Sequence, residues 1–163
     1  MPYDFTVVGA GVAGYTAAVL LSKLGYRVAV VEEHLVGGEC TNYGCAPAKA
    51  LLHYARLVEE ARLHGLAGQA RPVAEALRFA ARIASEEREG IEALLERAGV
   101  ELVRGLARVK VGPEGVTVEV GGSRLDASSV VIATGSEPLV PGWVEVCDRV
   151  LTNRELFGRG LPD

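Results

Sequence analysis

Tyr3-Asp4-Phe5-Thr6-Val7-Val8-Gly9-Ala10-Gly11-Val12-Ala13-Gly14 decides the fold. A short apolar run rich in strand formers passes without a break into Gly-x-Gly-x-x-Gly. Ala13 to Leu24 are small or apolar at helical spacing and stop at Gly25, a residue that closes helices. Arg27-Val28-Ala29-Val30-Val31 reads as a second buried strand, ending in Glu32-Glu33.

Strand, glycine turn, helix, strand and terminal acid, in that order, form a βαβ unit of the dinucleotide-binding kind. The expected class is therefore α/β, with a Rossmann-like parallel sheet flanked by helices. The three glycines serve different ends, since Gly9 allows the tight turn, Gly11 lets backbone approach a pyrophosphate, and Gly14 lets the helix sit close to the sheet. The helix N-terminus then favours phosphate charge. Glu32 lies 18 positions after Gly14, near the spacing of about 20 for the acid that accepts hydrogen bonds from an adenosine ribose. The pattern alone fits FAD and NAD equally, because both contain an ADP half.

Composition narrows the class independently. The 163 residues fit one domain by default, and a hydrophobic share of 49% is ample for a core. A net charge of −4, with no long basic run, argues against a nucleic-acid or anionic-membrane surface. Met1-Pro2-Tyr3-Asp4 leads straight into the first strand without a basic leader or a separate apolar segment, so a cytoplasmic location is expected.

The second informative stretch is Gly37-Gly38-Glu39-Cys40-Thr41-Asn42-Tyr43-Gly44-Cys45-Ala46-Pro47-Ala48-Lys49. Two cysteines five positions apart would close a very short loop, which restrains the unfolded chain little, so stability is a poor reason for the pair. It reads instead as a redox-active disulfide. On an ideal helix, positions i and i+5 have Cα atoms roughly 8 to 9 Å apart, beyond the ~7 Å reach of a disulfide. A Cys40–Cys45 bond therefore needs a distorted helix entry, which Gly44 and Pro47 can supply. Zinc ligation by the same pair would lack its second pair of ligands, and no metal site is expected.

Further along, Leu51, Leu52, Ala55, Val58 and Ala61 recur at helical spacing up to Gly65, and a long helix is expected from near Pro72 to Gly99, weakened by Gly90. From Val100 the pattern alternates. Val100–Val103, Ala107–Val111, Val116–Val120 and a stub at Arg124–Asp126, separated by glycine-rich turns, read as a small antiparallel β-meander. Ser129-Val130-Val131-Ile132-Ala133 is expected as another buried strand, leading into Thr134-Gly135.

Three motifs together carry a family resemblance: Gly9-x-Gly11-x-x-Gly14 with Glu32, then Gly38-x-Cys40-x4-Cys45-x-Pro47-x-Lys49, then the strand ending Ala133-Thr134-Gly135. In this order they resemble the N-terminal FAD segment of the pyridine nucleotide-disulfide oxidoreductases, and among them the dihydrolipoamide dehydrogenases. The resemblance implies FAD at the first glycine motif. Gly9, Gly11, Gly14 and Gly38 would line it, with Glu32 and the adjoining Glu33 at the ribose, the Ala107 backbone at adenine, and Ala133, Thr134 and Gly135 as the second contact. It implies Cys45 as the flavin-side thiol, Cys40 as the thiol that exchanges with substrate, and Lys49 near the reactive nitrogen of the flavin. The implied reaction moves two electrons between NAD or NADP, FAD, the cysteine pair and a small or protein-bound dithiol or disulfide.

Residues 1–163 would then be the N-terminal portion of the FAD-binding domain, ending where the family begins its NAD-binding domain. That domain and the dimerisation domain would be absent from this chain, which is expected to need a homodimer partner or a complementing chain. Pro47-Ala48-Lys49 resembles lipoamide dehydrogenases more than glutathione reductases, which tend to carry a second basic residue at the Ala48 position; a reductase of the mercuric or glutathione type is the neighbouring alternative. Glu39 stands where threonine is common, which raises the expectation of an acid beside phosphate charge. His34, His53, His64 and Cys147 are expected in ordinary surface or packing roles. The rival readings are a stand-alone FAD or ADP-binding module and a thiol-redox protein without flavin.

Overall fold

Strand β1 (Tyr3–Val8) and strand β2 (Val28–Glu32) pair in parallel, and helix α1 (Val12–Lys23) crosses between them. The computed structural model describes residues 2–66, 73–113 and 115–159. Pro72, the expected start of the long helix, and Glu114 in the expected turn lie outside them.

The chain separates into two compact units: residues 1–38 with 88–135, and residues 39–87 with 136–163. The first unit is built on a sheet of order β3-β2-β1-β6-β5-β4. Strands β3 (Glu101–Arg104), β4 (Ala107–Gly112), β5 (Gly115–Val120) and β6 (Ser123–Ile132) complete it. Val7, Val28 and Val30 pack on one face with Ala18 and Val19 of α1 and with Leu95. Val8 and Val31 pack on the other face with Val118 and Val120 of β5. Both faces of the parallel strands are thus covered, which explains their continuous apolar runs.

The expected α/β class with parallel strands and a meander is what the structure shows, with two corrections to the strand plan. Val100–Val103 does not open the meander as expected: β3 pairs in parallel with β2, and Gly105 N donates to Glu32 O at 2.9 Å. A helical crossover returns the chain in the same direction, and parallel pairing follows. The stub at Arg124–Asp126 and the strand at Ser129 are one long strand, β6. Its first half pairs antiparallel to β5 and its second half parallel to β1, with Ala127 serving both neighbours. Its end is less buried than expected, Ile132 being 61% exposed.

The second unit contains the short helix α2 (Gly38–Asn42, from Glu39 on), helix α3 (Cys45–Leu63), the beginning of α4 (Val73–Arg97) and helix α5 (Asn153–Arg159). Beyond Ala50, α3 is largely exposed, with Leu52 60%, Leu57 50% and Leu63 69% accessible. Tyr54 of α3 meets Phe79 of α4, ring centroids 6.2 Å apart.

Candidate functional site

In the first unit, the glycine turn sits at the C-terminal ends of β1, β2 and β6, which run parallel in the middle of the sheet. Open α/β sheets take their ligands in this place. Gly9 has φ +99°, and a Cβ there would come within 2.2 Å of Ala133 O, so the turn and the end of β6 lie backbone against backbone. A Cβ on Gly14 would lie 1.8 Å from Gly9 O, which enforces close packing of α1 on the turn.

Gly11 differs. Its φ of −69° is ordinary, and a Cβ would meet nothing nearer than Gly38 Cα at 3.8 Å. Among the described residues, no atom requires glycine at this position. It caps α1 with no side-chain hydrogen bond, and the first turn of the helix has no acid, so backbone N–H groups and the helix dipole face an approaching anion. The fit of a pyrophosphate here rests on that bare approach.

Glu32 bonds the turn itself: Oε2 accepts from Ala10 N at 2.7 Å and Oε1 from His34 N at 2.9 Å. Gly37 N donates to Ala10 O at 2.8 Å, and Gly37 bridges Gly11, bringing Gly38 alongside. The unit therefore gathers Gly9, Gly11, Gly14, Glu32, Gly38 and Ala133, with Thr134 and Gly135 exposed just beyond. Ala107 begins β4 two residues after the Gly105 bond to Glu32 O, and packs against the Val8 and Val31 cluster. Glu33 is exposed.

In the second unit, Cys40 and Cys45 form a disulfide with a Cα–Cα separation of 4.7 Å. The helical path breaks between Asn42 and Cys45, and Gly44 adopts φ −126°, ψ −105°. This break brings the cysteines inside bridging distance. A Cβ on Gly44 would press on Glu39 O at 3.1 Å and on Cys40 Cα at 3.4 Å. Cys45 and Lys49 are both exposed, four residues apart on α3 and so on one face, whereas Cys40 is half-buried.

Glu39 does not carry an unpaired charge. Its carboxylate accepts from Arg154 Nε at 2.9 Å and from Asn153 Nδ2, and Asn153 Nδ2 also donates to Tyr43 O at 3.1 Å. Whatever lies near it, the Glu39 charge is therefore balanced by a guanidinium. Arg154 reaches further, from Nη1 to Glu137 Oε1 at 2.9 Å and from Nη2 to Ser136 O at 3.3 Å. The Glu39 bond, followed by Glu137, holds the guanidinium charge more firmly than usual against opposing desolvation. Sequence reading missed Asn153 and Arg154. A signal was present: Thr152-x-x-Glu155 is a capping box, with Glu155 Oε2 accepting from Thr152 N at 2.9 Å and Thr152 Oγ1 from Arg154 N at 3.2 Å.

A family model described as pyridine nucleotide-disulphide oxidoreductase matches residues 3–159. The chain belongs to this family. Among curated members it is 35% identical to a dihydrolipoyl dehydrogenase of Chlorobaculum parvum, over 99% of this chain and 36% of that protein. It is 41% identical to a dihydrolipoyl dehydrogenase of Thermus scotoductus, over 84% of this chain and 30% of that protein. The chain thus spans about a third of the length of these oxidoreductases.

Solved structures also superpose on it. The HOCl-induced flavoprotein disulfide reductase RclA from Escherichia coli matches with TM-score 0.70 and 26% identity, over 86% of this chain and 30% of that one. LpdA from Mycobacterium tuberculosis matches with TM-score 0.82 over 95% of this chain and 37% of that one; at 22% identity this likeness speaks for the fold alone. Among the described residues, none of the helices is long and apolar enough to cross a membrane, and there is no group of three or more His, Cys, Asp or Glu able to hold a metal ion.

Proposed function

We propose that this chain is the FAD-binding, disulfide-bearing portion of a dihydrolipoamide dehydrogenase-like flavoprotein disulfide oxidoreductase. The observation that carries the reading is the Cys40–Cys45 disulfide at a broken helix entry, with Lys49 one turn further on. FAD, when bound, supplies the two-electron carrier between a pyridine nucleotide and the disulfide. The bare Gly11 approach and the α1 N-terminus bind and orient the pyrophosphate, with Glu32 at the ribose and Thr134-Gly135 at the second contact. Ala107 offers its backbone to adenine.

Cys45 and Lys49 share an exposed face, where the lysine ammonium favours the Cys45 thiolate and balances negative charge. Cys40, the thiol of the exchange step, attacks a disulfide substrate and releases one of its sulfurs as a thiol; in the other direction a thiolate of a dithiol substrate attacks the Cys40 sulfur and releases Cys45 as the thiolate. Nicotinamide binding and the acid–base group for exchange are assigned to the parts of the relatives' length that residues 1–163 do not cover, and a homodimer or a complementing chain is the proposed assembly. Exposed Leu139 (92%) and Trp143 (87%), together with the exposed leucines of α3, support such partners.

The test is to add FAD to the purified chain, reduce with dithionite or a dithiol, and record the visible spectrum. Flavin absorbance is expected to remain with the protein after desalting, and a long-wavelength band to appear on reduction that Cys45→Ser abolishes. Bound flavin without that band would refute the role of Cys45. Failure to retain FAD would refute the reading for this chain.

A further inference from the structure

The five-residue helix α2 carries Cys40 and is too short to sustain itself. At its C-terminal end Thr41 and Asn42 are buried, 4% and 5% exposed. Its Glu39–Cys40 end is held by side chains from residues more than a hundred positions away: Asn153 and Arg154 both donate to Glu39, and Asn153 also takes Tyr43 O. The Arg154 guanidinium lies 5.8 Å from the centre of the Tyr43 ring, and its other nitrogens reach Glu137 and the Ser136 carbonyl. The capping box at Thr152 and Glu155 fixes the start of the helix that presents both residues. None of these contacts involves a sulfur atom.

In the oxidised chain the covalent bond itself keeps Cys40 beside Cys45. Once it is reduced, the position of Cys40 depends on whatever else holds α2. We propose that Arg154, with Asn153, is a positioning residue for the disulfide: by clamping Glu39 it keeps the reduced Cys40 thiol aligned with Cys45 and so biases the pair toward re-formation of the bond. The inference deepens the proposed function, resting on Cys40 and Cys45 being the exchanging pair.

A Cys40 thiolate attacks a disulfide such as oxidised glutathione, forming a mixed disulfide and releasing one glutathione. The Cys45 thiolate then attacks the Cys40 sulfur, closing the protein disulfide and releasing the second. Two electrons pass from the protein thiols to glutathione disulfide, and the two thiol protons end on the two reduced glutathiones. The clamp acts on the closing step, whose advantage is the effective concentration of one thiol at the other.

The experiment equilibrates the chain in buffers of reduced and oxidised glutathione, in a Cys147→Ser background so that only the pair exchanges, and counts free thiols by alkylation and mass spectrometry. Arg154→Ala is expected to lower the equilibrium constant for disulfide formation about tenfold, a potential about 30 mV less negative. Arg154→Lys keeps the charge but loses the fork, and is expected to recover most of the loss. Glu39→Gln keeps an acceptor for Asn153 without the charge and is expected to lower the constant about fivefold.

A merely structural role would weaken the oxidised and reduced forms alike and leave the constant where it was. A folded Arg154→Ala chain with the parental constant, within twofold, would overturn the proposal. Should that variant fail to fold by circular dichroism, a parental constant for Glu39→Gln would overturn it equally. The flavin reading fails by a different measurement, loss of FAD retention, which leaves the glutathione equilibrium readable.

Discussion

Replacing Gly14 with alanine should destabilise the chain, although alanine is the better helix former. In an exposed helix interior, glycine to alanine gains about 1 kcal/mol. At Gly14 the added Cβ would sit 1.8 Å from Gly9 O, where contacts under 3.0 Å essentially never occur. The obstacle is backbone, so no flexible side chain can swing aside. Helix α1 and the glycine turn must separate by about 1.2 Å, the gap between those two distances.

A radial gap of 0.5 to 1 Å already forfeits about a quarter to a half of a contact's dispersion energy. Here it would spread over the packing of Ala18 and Val19 on Val7, Val28 and Val30. Overpacking of this kind costs about 3 kcal/mol at the upper end of its usual range. After the propensity gain, the net loss is about 2 kcal/mol, and the midpoint falls by about 4 to 8 °C. Gly90 in α4 is the internal control, since a Cβ there meets nothing within 4 Å; Gly90→Ala should gain roughly 0.5 to 1 kcal/mol. Urea unfolding followed by circular dichroism measures both. A Gly14→Ala chain as stable as the parent, or stabilised like Gly90→Ala, would refute the close-approach argument.

Gly11→Ala should leave stability within about 0.5 kcal/mol of the parent, because its nearest neighbour is 3.8 Å away, yet weaken FAD retention at least about tenfold, the equivalent of 1.4 kcal/mol; flavin fluorescence titration beside urea unfolding separates the two effects, and undiminished binding would remove the pyrophosphate from this approach. Tyr3 Oη donates to Glu101, and burial first, then this carboxylate, raise the phenol above its ordinary value of 10.0. A raised folded value means that its contribution to stability is complete below pH 10 and is lost as pH rises through the folded value. Tyrosinate absorbance should therefore show one residue titrating late, and Tyr3→Phe should delete that component.

The glycine turn is legible in the sequence because its residue pattern is local, even where the reason for it is not: Gly14 is fixed by Gly9 O five residues earlier, whereas Gly9 is fixed by Ala133 at the end of β6. The break before Cys45 is legible for the same reason, since helix geometry forbids an i, i+5 disulfide and Gly44 stands at the required point. Strand β3 escapes a correct assignment because four residues carry too little pattern to show direction. Only its bond through Gly105 to Glu32 O and its register beside β2 place it in the parallel sheet. The two halves of β6 look like two strands because the pairing partner changes at Ala127 while the backbone continues.

By itself the sequence determined the βαβ unit, the glycine at each close approach, the kinked disulfide and the family. These leave a trace in residue type and spacing over a few positions, even where, as at Gly9, the atom that demands the residue lies far along the chain. Tertiary structure alone decided which strands are neighbours and how Glu39 is neutralised. Arg154 lies 115 positions from Glu39 and meets it only because α5 is folded against the Cys40 segment. A charge pair across that separation leaves no periodic trace in the chain, since its geometry is set by packing and not by spacing.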